Sequence, residues 1–99
     1  MNDWEKLQNG LLYNDVAPEL FARRVTAKQL FRSYNGTDDS QAAYRRELMR
    51  KMFHEVGDEV LIEPMFQCEF GVNITIGSHV YINFGCTILD CAEVTIGNH

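Results

Sequence analysis

Histidine is the residue type in this sequence with the widest chemical range, because a neutral imidazole can accept a proton or bind a metal ion. Two of the three histidines, His79 and His99, end copies of one repeated segment, Asn73-Ile-Thr-Ile-Gly-Ser-His79 and Glu93-Val-Thr-Ile-Gly-Asn-His99. Two imidazoles at equivalent positions of a repeat can stack and suggest a metal site, but two ligands without a third are weak evidence for one. We therefore predict no metal site and interpret both histidines as turn residues that recur with the repeat.

The repeated segment belongs to a longer pattern of period six. Aliphatic residues recur at Ile76, Ile82, Ile88 and Val94, and a second set runs at Ile62, Cys68, Ile74, Val80, Cys86 and Ala92. This period fits a three-sided parallel β-helix, in which each short side directs one residue per turn at the axis. Three sides make a coil of about 18 residues. The repeat spacing of twenty residues is then one coil plus a two-residue insertion after Val94, and the pattern predicts hexapeptide-repeat coils over residues 58–99.

Cysteine is the second reactive residue type, and the chain has three. An odd number argues against a disulfide framework. Cys68 and Cys86 are eighteen residues apart, so we expect them to stack in adjacent coils within disulfide reach. We favour two small buried apolar residues there over a bridge.

Charge divides the chain into two parts. All nine Lys and Arg residues lie at or before Lys51, whereas residues 52–99 contain seven acidic residues and no basic ones. Nucleic acid is therefore excluded as a partner of the coils, and an anionic cofactor must find its cations elsewhere. No stretch is apolar enough to span a membrane, and the N-terminus has neither the basic start nor the apolar core of a signal peptide. We expect a cytoplasmic protein.

Residues 1–57 are predicted to form a helical module. Asn2 or Asp3 caps a short helix that ends by Gly10, and Pro18 opens a second helix that closes at Asn35-Gly36. The predicted apolar face of the second helix consists of Leu20, Phe21, Val25, Leu30, Phe31 and Tyr34. Three short helices bury little by themselves, so we expect them to pack on the first coil and cap it.

A third helix is predicted to end at Gly57, after a cap at Asp38, Asp39 or Ser40. Its buried stripe, with i, i+4 spacing, is Tyr44, Leu48, Met52 and Val56. Off that stripe, on a face that we expect to be solvated, lie Arg45, Arg46, Arg50 and Lys51. His54 falls on the same helix, where we expect a structural role.

Together these segments resemble the maltose and galactoside O-acetyltransferases over essentially the whole chain. The resemblance is carried by Gly10-Leu-Leu-Tyr-Asn-Asp15, Arg23, Arg24 and Ala27, Tyr44-Arg-Arg-Glu-Leu48, Glu63-Pro64, Gly71-Val-Asn-Ile-Thr-Ile-Gly77 and Tyr81-Ile-Asn-Phe84. It implies a mainly β fold, a left-handed parallel β-helix preceded by a small all-α module. It also implies a homotrimer with active sites between subunits, which transfers an acetyl group from acetyl-CoA to a sugar hydroxyl.

The resemblance further implies which residues contact the sugar acceptor: Asp15, Glu69, Tyr81, Asn83 and Asp90. Carboxylates and amides suit paired sugar hydroxyls. All but Tyr81 have a structural alternative: Asp15 as a cap of the second helix, Asn83 as a residue tolerating a coil corner, and both acids on the coils as solvated groups. The galactoside branch has a serine at the position of Glu69 and an acid at that of Cys91, so maltose, glucose and galactoside acceptors all stay open.

The catalytic residues are not expected within these 99 residues. By resemblance the base is a histidine on a later coil, and the CoA site lies there too, so we expect this chain to be the N-terminal part of a longer protein or a truncated product. The alternative function is a truncated, non-catalytic assembly module without base or CoA site. A zinc-dependent hydratase, the third hypothesis, would need three histidines at an interface.

Overall fold

A computed structural model describes all of residues 1–99, with three helices followed by seven short strands. The helices are α1 (Asp3–Gln8), α2 (Pro18–Asn35) and α3 (Ala42–Met52). The strands are β1 (Glu55–Val56), β2 (Leu61–Ile62), β3 (Phe66–Cys68), β4 (Ile74–Ile76), β5 (Tyr81–Ile82), β6 (Cys86–Ile88) and β7 (Val94–Ile96). None of the helices combines the length and the apolar composition that a bilayer span requires.

The strands form three separate parallel sheets, and successive strands belong to the first, second and third sheet in turn. Their orders are β1-β4-β7, β2-β5 and β3-β6. Each strand from β1 to β4 therefore pairs with the strand three places later, one full coil along the chain. Each short side of a coil directs one residue at the axis before the chain turns to the next side, which is why an apolar period of six appears in the sequence.

The length of a coil differs from the sequence prediction. Paired residues are twenty apart in all three sheets, as in Leu61 with Tyr81 and Ile74 with Val94. The sequence predicted one two-residue insertion, after Val94, but the structure has it in every coil and before Val94, at the corner that joins the third sheet to the first (residues 69–73 and 89–93). Consequently Cys68 pairs with Ile88 and Cys86 with Phe66, so the predicted stacking of the two cysteines is wrong, and all three cysteines are free.

The helical module packs on the coils, as predicted. A single buried cluster joins Ala27, Phe31 and Tyr34 of α2 and Leu48, Met49 and Met52 of α3 to the inward side chains Ile62, Phe66, Cys68, Ile74, Ile76, Val80 and Ile82. The Tyr34 hydroxyl donates to the backbone oxygen of Ile62 at 2.7 Å, and the Asn35 side chain bonds the backbone of Phe66 in both directions. The module and the coils therefore share one core, although the sequence suggested a boundary after residue 57.

Several helical details differ from the predictions. On α2, Phe21 and Val25 are exposed and the small Ala27 is buried instead, because the coil approaches the helix closely there. Neither α2 nor α3 has a side-chain cap at its N-terminus. α3 ends at Met52, since the backbone N–H of His54 already donates to Ile74 in the adjoining coil. His54 is therefore exposed beside β1 and does not lie on a helix.

Arg45 was predicted on a solvated face, but it is buried. Its guanidinium donates to the hydroxyl of Thr37 at 2.7 Å and to Asp39 at 3.1 Å, and it lies over the ring of Tyr34. Buried arginine is tolerated when its donors are paired in this way. The Arg45 side chain therefore connects α3 to the turn between α2 and α3 through these hydrogen bonds.

Cys68 should resist alkylation in the folded chain. Burial raises the pKa of its thiol from 9.0 to about 12, and the charges of Asp90 and Glu69 act in the same direction. Because the thiolate is the reactive form, iodoacetamide should modify Cys68 much more slowly than the partly exposed Cys86 near pH 8. Mass spectrometry of the labelled protein measures both sites at once, and equal rates would contradict the prediction.

The same shift has a consequence for stability. A thiol whose pKa is higher in the folded than in the unfolded state stabilises the fold fully below the unfolded value, near 9.0. That contribution is lost as the pH rises from there toward about 12. Replacing Cys68 with Ala should flatten this part of the pH profile of the unfolding free energy.

Candidate acceptor site

Two of the predicted site residues are joined by an arginine. Arg24 on α2 donates from Nη2 to Asp15 Oδ1 at 2.6 Å, from Nη1 to the backbone oxygen of Asp15 at 2.6 Å, and from Nε to Glu69 Oε1 at 2.5 Å. Asp15 lies in the loop between α1 and α2, and Glu69 follows β3. The arrangement brings together two carboxylates that are 54 residues apart in the sequence.

The local packing explains why Arg24 reaches both partners. The start of α2 is fixed by Ala17 and Leu20, which are buried in a small cluster with Leu7 of α1 and Phe70 of the coil. The ring of Trp4 packs edge-on against Phe70 at 5.1 Å, and the Arg24 guanidinium lies 5.3 Å from the same phenyl ring. Residues from three segments thus hold the first turns of α2 against the corner that carries Glu69.

Asp15 does not cap α2, which was its structural alternative. The N-cap position is Ala17, without a side-chain hydrogen bond, while the side chain of Asp15 is engaged with Arg24 and largely exposed. The carboxylate of Asp15 is therefore free to contact a ligand from solvent through its second oxygen.

Asp90 has a different environment from the other two acids. It is completely buried, with Oδ1 accepting from the backbone N–H of Phe70 at 2.8 Å and Oδ2 accepting from that of Asn73 at 3.1 Å. The Asn73 side chain also donates to the backbone oxygen of Asp90 at 2.8 Å. Asp90 thus holds the corner turn that follows Glu69, and both of its carboxylate oxygens are occupied.

Tyr81 and Asn83 lie on another side of the coil. Tyr81 is on β5 and more than half exposed, and Asn83 follows that strand. The side-chain oxygen of Asn83 accepts from the backbone N–H of Phe84 at 2.8 Å, which leaves its amide N–H groups free. Neither residue hydrogen-bonds to Asp15 or Glu69, so within one chain the predicted residues form two separate groups.

The electrostatics of the Arg24 cluster reflect its geometry. Burial lowers the pKa of Arg24, but hydrogen bonding to Glu69 and the charge of Asp15 outweigh that effect, so the pKa is raised above its ordinary value and the guanidinium stays charged. Cys91 is beside this cluster. Burial raises the pKa of the Cys91 thiol, and the charges of Glu69 and Asp90 raise it further. The Cys91 thiol is therefore neutral and lies partly buried at the edge of the cluster.

The histidines lie outside this cluster. His79 and His99 stack with ring centroids 5.4 Å apart and planes 8° from parallel, at left-handed corner positions with φ of 60° and 65°. Their stacking was anticipated from the repeat. No group of three or more His, Cys, Asp or Glu side chains is arranged to hold a metal ion.

The sequence of this chain matches a known protein family. Residues 6–57 match the maltose acetyltransferase hexapeptide capping motif. The chain belongs to this family. Nodulation protein L from Rhizobium meliloti strain 1021 is a family relative that is 42% identical over 94 residues, covering 95% of this chain and 51% of that protein. The chain spans about half the length of the curated relatives it matches.

Solved structures of the family agree with the fold. A maltose O-acetyltransferase from Clostridium difficile 630 superimposes with a TM-score of 0.96 at 29% identity, over 100% of this chain and 53% of that one. A hexapeptide-repeat acetyltransferase from Vibrio cholerae, complexed with acetyl coenzyme A, gives a TM-score of 0.85 at 36% identity over 100% of this chain and 53% of that one. The resemblance described from sequence motifs alone is thereby confirmed, including its extent over half of a family member.

Proposed function

We propose that this chain supplies the acceptor side of an acetyl-CoA-dependent O-acetyltransferase, in which an acetyl group passes to a sugar hydroxyl. The observation that carries the proposal is the Asp15–Arg24–Glu69 cluster on a helical module of the maltose acetyltransferase type. Each carboxylate in it keeps one oxygen without a partner in the chain. Such oxygens accept hydrogen bonds from sugar hydroxyls.

The predicted contacts divide into two roles under this proposal. Asp15 and Glu69 bind hydroxyls directly, and Tyr81 and Asn83 contact the acceptor from another coil side, which in a trimer can belong to a neighbouring subunit. Asp90, with both oxygens occupied, positions the turn after Glu69. The exposed ring of Phe84, the residue after Asn83, supports a subunit contact on that face.

The chemistry of transfer needs groups besides these. Direct attack of a hydroxyl on a thioester requires a base to take the hydroxyl proton and donors for the developing oxyanion. His54, His79 and His99 make no hydrogen bond to the cluster. We infer that the base is contributed by a further coil of a longer polypeptide, as the family resemblance implies.

Acetyl-CoA is the proposed acetyl donor. The complex of the Vibrio cholerae relative with this molecule supports it. The coils of this chain carry no lysine or arginine, so they offer no cation for the CoA phosphates. Binding of the donor is therefore assigned to residues outside these coils.

The left-handed sense of the coil and the homotrimer are part of the same proposal. The superposition on the maltose O-acetyltransferase supports a common path of the chain. Sedimentation of the complete protein tests the trimer, and a crystal structure tests the sense of the coil. A stable monomer, or right-handed connections between the sheets, would contradict these two parts.

A truncated assembly module is the second candidate, because the acidic coils lack donor-binding cations. A thiol-release assay of the complete protein with acetyl-CoA and a panel of maltose, glucose and a galactoside distinguishes the two. Sugar-dependent release of CoA is expected for the enzyme. Trimer formation in gel filtration with no release for any sugar would favour the assembly module.

Asp15→Ala should weaken use of the acceptor in the complete protein. Loss of one partner of a charged hydrogen bond costs about 1 to 3 kcal/mol, or roughly tenfold to a hundredfold in kcat/KM for the sugar. The KM for acetyl-CoA should not change. Asp58→Ala is the matched control, because Asp58 is an exposed acid that pairs with an arginine, Arg46, away from the site. Equal kinetics for both variants would remove Asp15 from the site.

A further inference from the structure

Arg24 links two parts of the chain that no backbone pairing joins. Its three guanidinium nitrogens bind the side chain and backbone of Asp15, nine residues earlier, and the side chain of Glu69, 45 residues later. The Arg24 side chain is 19% exposed, and its contact with Glu69 is partly buried, whereas its contacts with Asp15 lie at the surface. Charge-assisted bonds of this length are strong and directional.

Each of the two carboxylates has one oxygen that makes no hydrogen bond within the chain. Asp15 uses Oδ1 and Glu69 uses Oε1 on the arginine, while Asp15 Oδ2 and Glu69 Oε2 make no hydrogen bond within the chain. Both side chains retain exposed surface. Because one rigid guanidinium fixes both carboxylates, the relative position of these free oxygens is also fixed.

We propose that Arg24 is the positioning residue of the acceptor site, which sets the free oxygens of Asp15 and Glu69 to accept hydrogen bonds from two hydroxyls of one sugar. This inference rests on the proposed sugar acetyltransferase function. It assigns Arg24 no contact with the reacting atoms, and the role of Arg24 is to hold the carboxylate of Asp15, in the α1–α2 loop, in a fixed position relative to Glu69.

The planar fork of arginine is essential to this role. Nε and the two Nη atoms point in different fixed directions, so one side chain reaches Glu69 on one side and Asp15 on the other. A lysine has a single charged nitrogen and cannot hold both carboxylates in the same geometry. Charge alone therefore cannot replace Arg24.

The test uses steady-state kinetics of the complete protein with Arg24→Ala, Arg24→Lys and the control Arg32→Ala. Arg32 is an exposed arginine of the same helix that forms no ion pair. Arg24→Ala should raise the acceptor KM by about tenfold to a hundredfold, with kcat reduced less than KM is raised and the KM for acetyl-CoA unchanged. Arg24→Lys should fall between wild type and Arg24→Ala, and Arg32→Ala should match wild type.

Each other outcome overturns a defined statement. A lowered melting temperature with an unchanged acceptor KM would make Arg24 structural only, as would a full rescue by lysine. A wild-type protein that releases no CoA with any sugar would overturn the proposed function, and this inference with it. If Arg24→Ala fails to unfold cooperatively, the acceptor KM is compared with wild type for Arg24→Lys and Glu69→Gln instead. A wild-type acceptor KM in both variants would refute the positioning role.

Discussion

Asp90→Ala should lower the free energy of unfolding by about 2 to 5 kcal/mol, because it leaves one buried and one partly buried backbone donor without acceptors. In the native chain these donors, the N–H groups of Phe70 and Asn73, are bound by the two oxygens of a fully buried carboxylate. Urea unfolding followed by circular dichroism measures the loss.

The controls for this prediction separate charge from hydrogen bonding. Glu93→Ala removes an exposed acid two residues beyond Cys91 and should leave stability nearly unchanged. Asp90→Asn keeps the shape and one acceptor oxygen, so its cost should be intermediate. If Asp90→Ala were as stable as Glu93→Ala, the carboxylate would not be holding the corner turn.

Gly71→Ala should be destabilising by about 2 to 5 kcal/mol, because strain and overlap act together there. Gly71 has φ of +80°, and a Cβ at this position would lie 2.5 Å from the backbone oxygen of Met52, the last residue of α3. A backbone atom at a helix end cannot move aside as a flexible side chain can. The corner turn and the helix end would therefore have to separate.

Gly85→Ala is the matched control for this substitution. Gly85 has nearly the same φ, +82°, but no atom lies within 4 Å of the position that an alanine methyl group would occupy. Its replacement should cost only the left-handed strain of about 1 to 2 kcal/mol. Thermal unfolding of both variants gives the difference, and equal losses would show that contact with α3 does not restrict Gly71.

The sequence predicted the repeating architecture well because the inward residues recur with fixed chemistry. Ile76, Ile82 and Ile88 pack in or against the core from three successive sides of a coil, so their spacing of six residues is the length of one side. The length of a coil was harder to predict. The inserted residues lie in a corner that is held by hydrogen bonds to the Asp90 carboxylate. Because these residues are not apolar core residues, the apolar period gives no sign of them.

The candidate acceptor site was predictable only in part. Asp15 and Glu69 were proposed through the family resemblance, but the sequence did not predict that Arg24 joins them. The two ion pairs of Arg24 join residues 9 and 45 positions away, and no local pattern marks such partners. Arg45 was misplaced for a similar reason, since its burial depends on acceptors in the preceding turn and not on its own helical stripe.

In the proposed function a sugar acceptor binds at the Asp15–Arg24–Glu69 cluster. A crystal structure of the complete protein soaked with maltose or a galactoside would show where the sugar lies. We expect sugar hydroxyls within hydrogen-bond distance of the free oxygens of Asp15 and Glu69, with the Arg24 ion pairs intact. A sugar bound elsewhere, with only water on these two carboxylates, would contradict it.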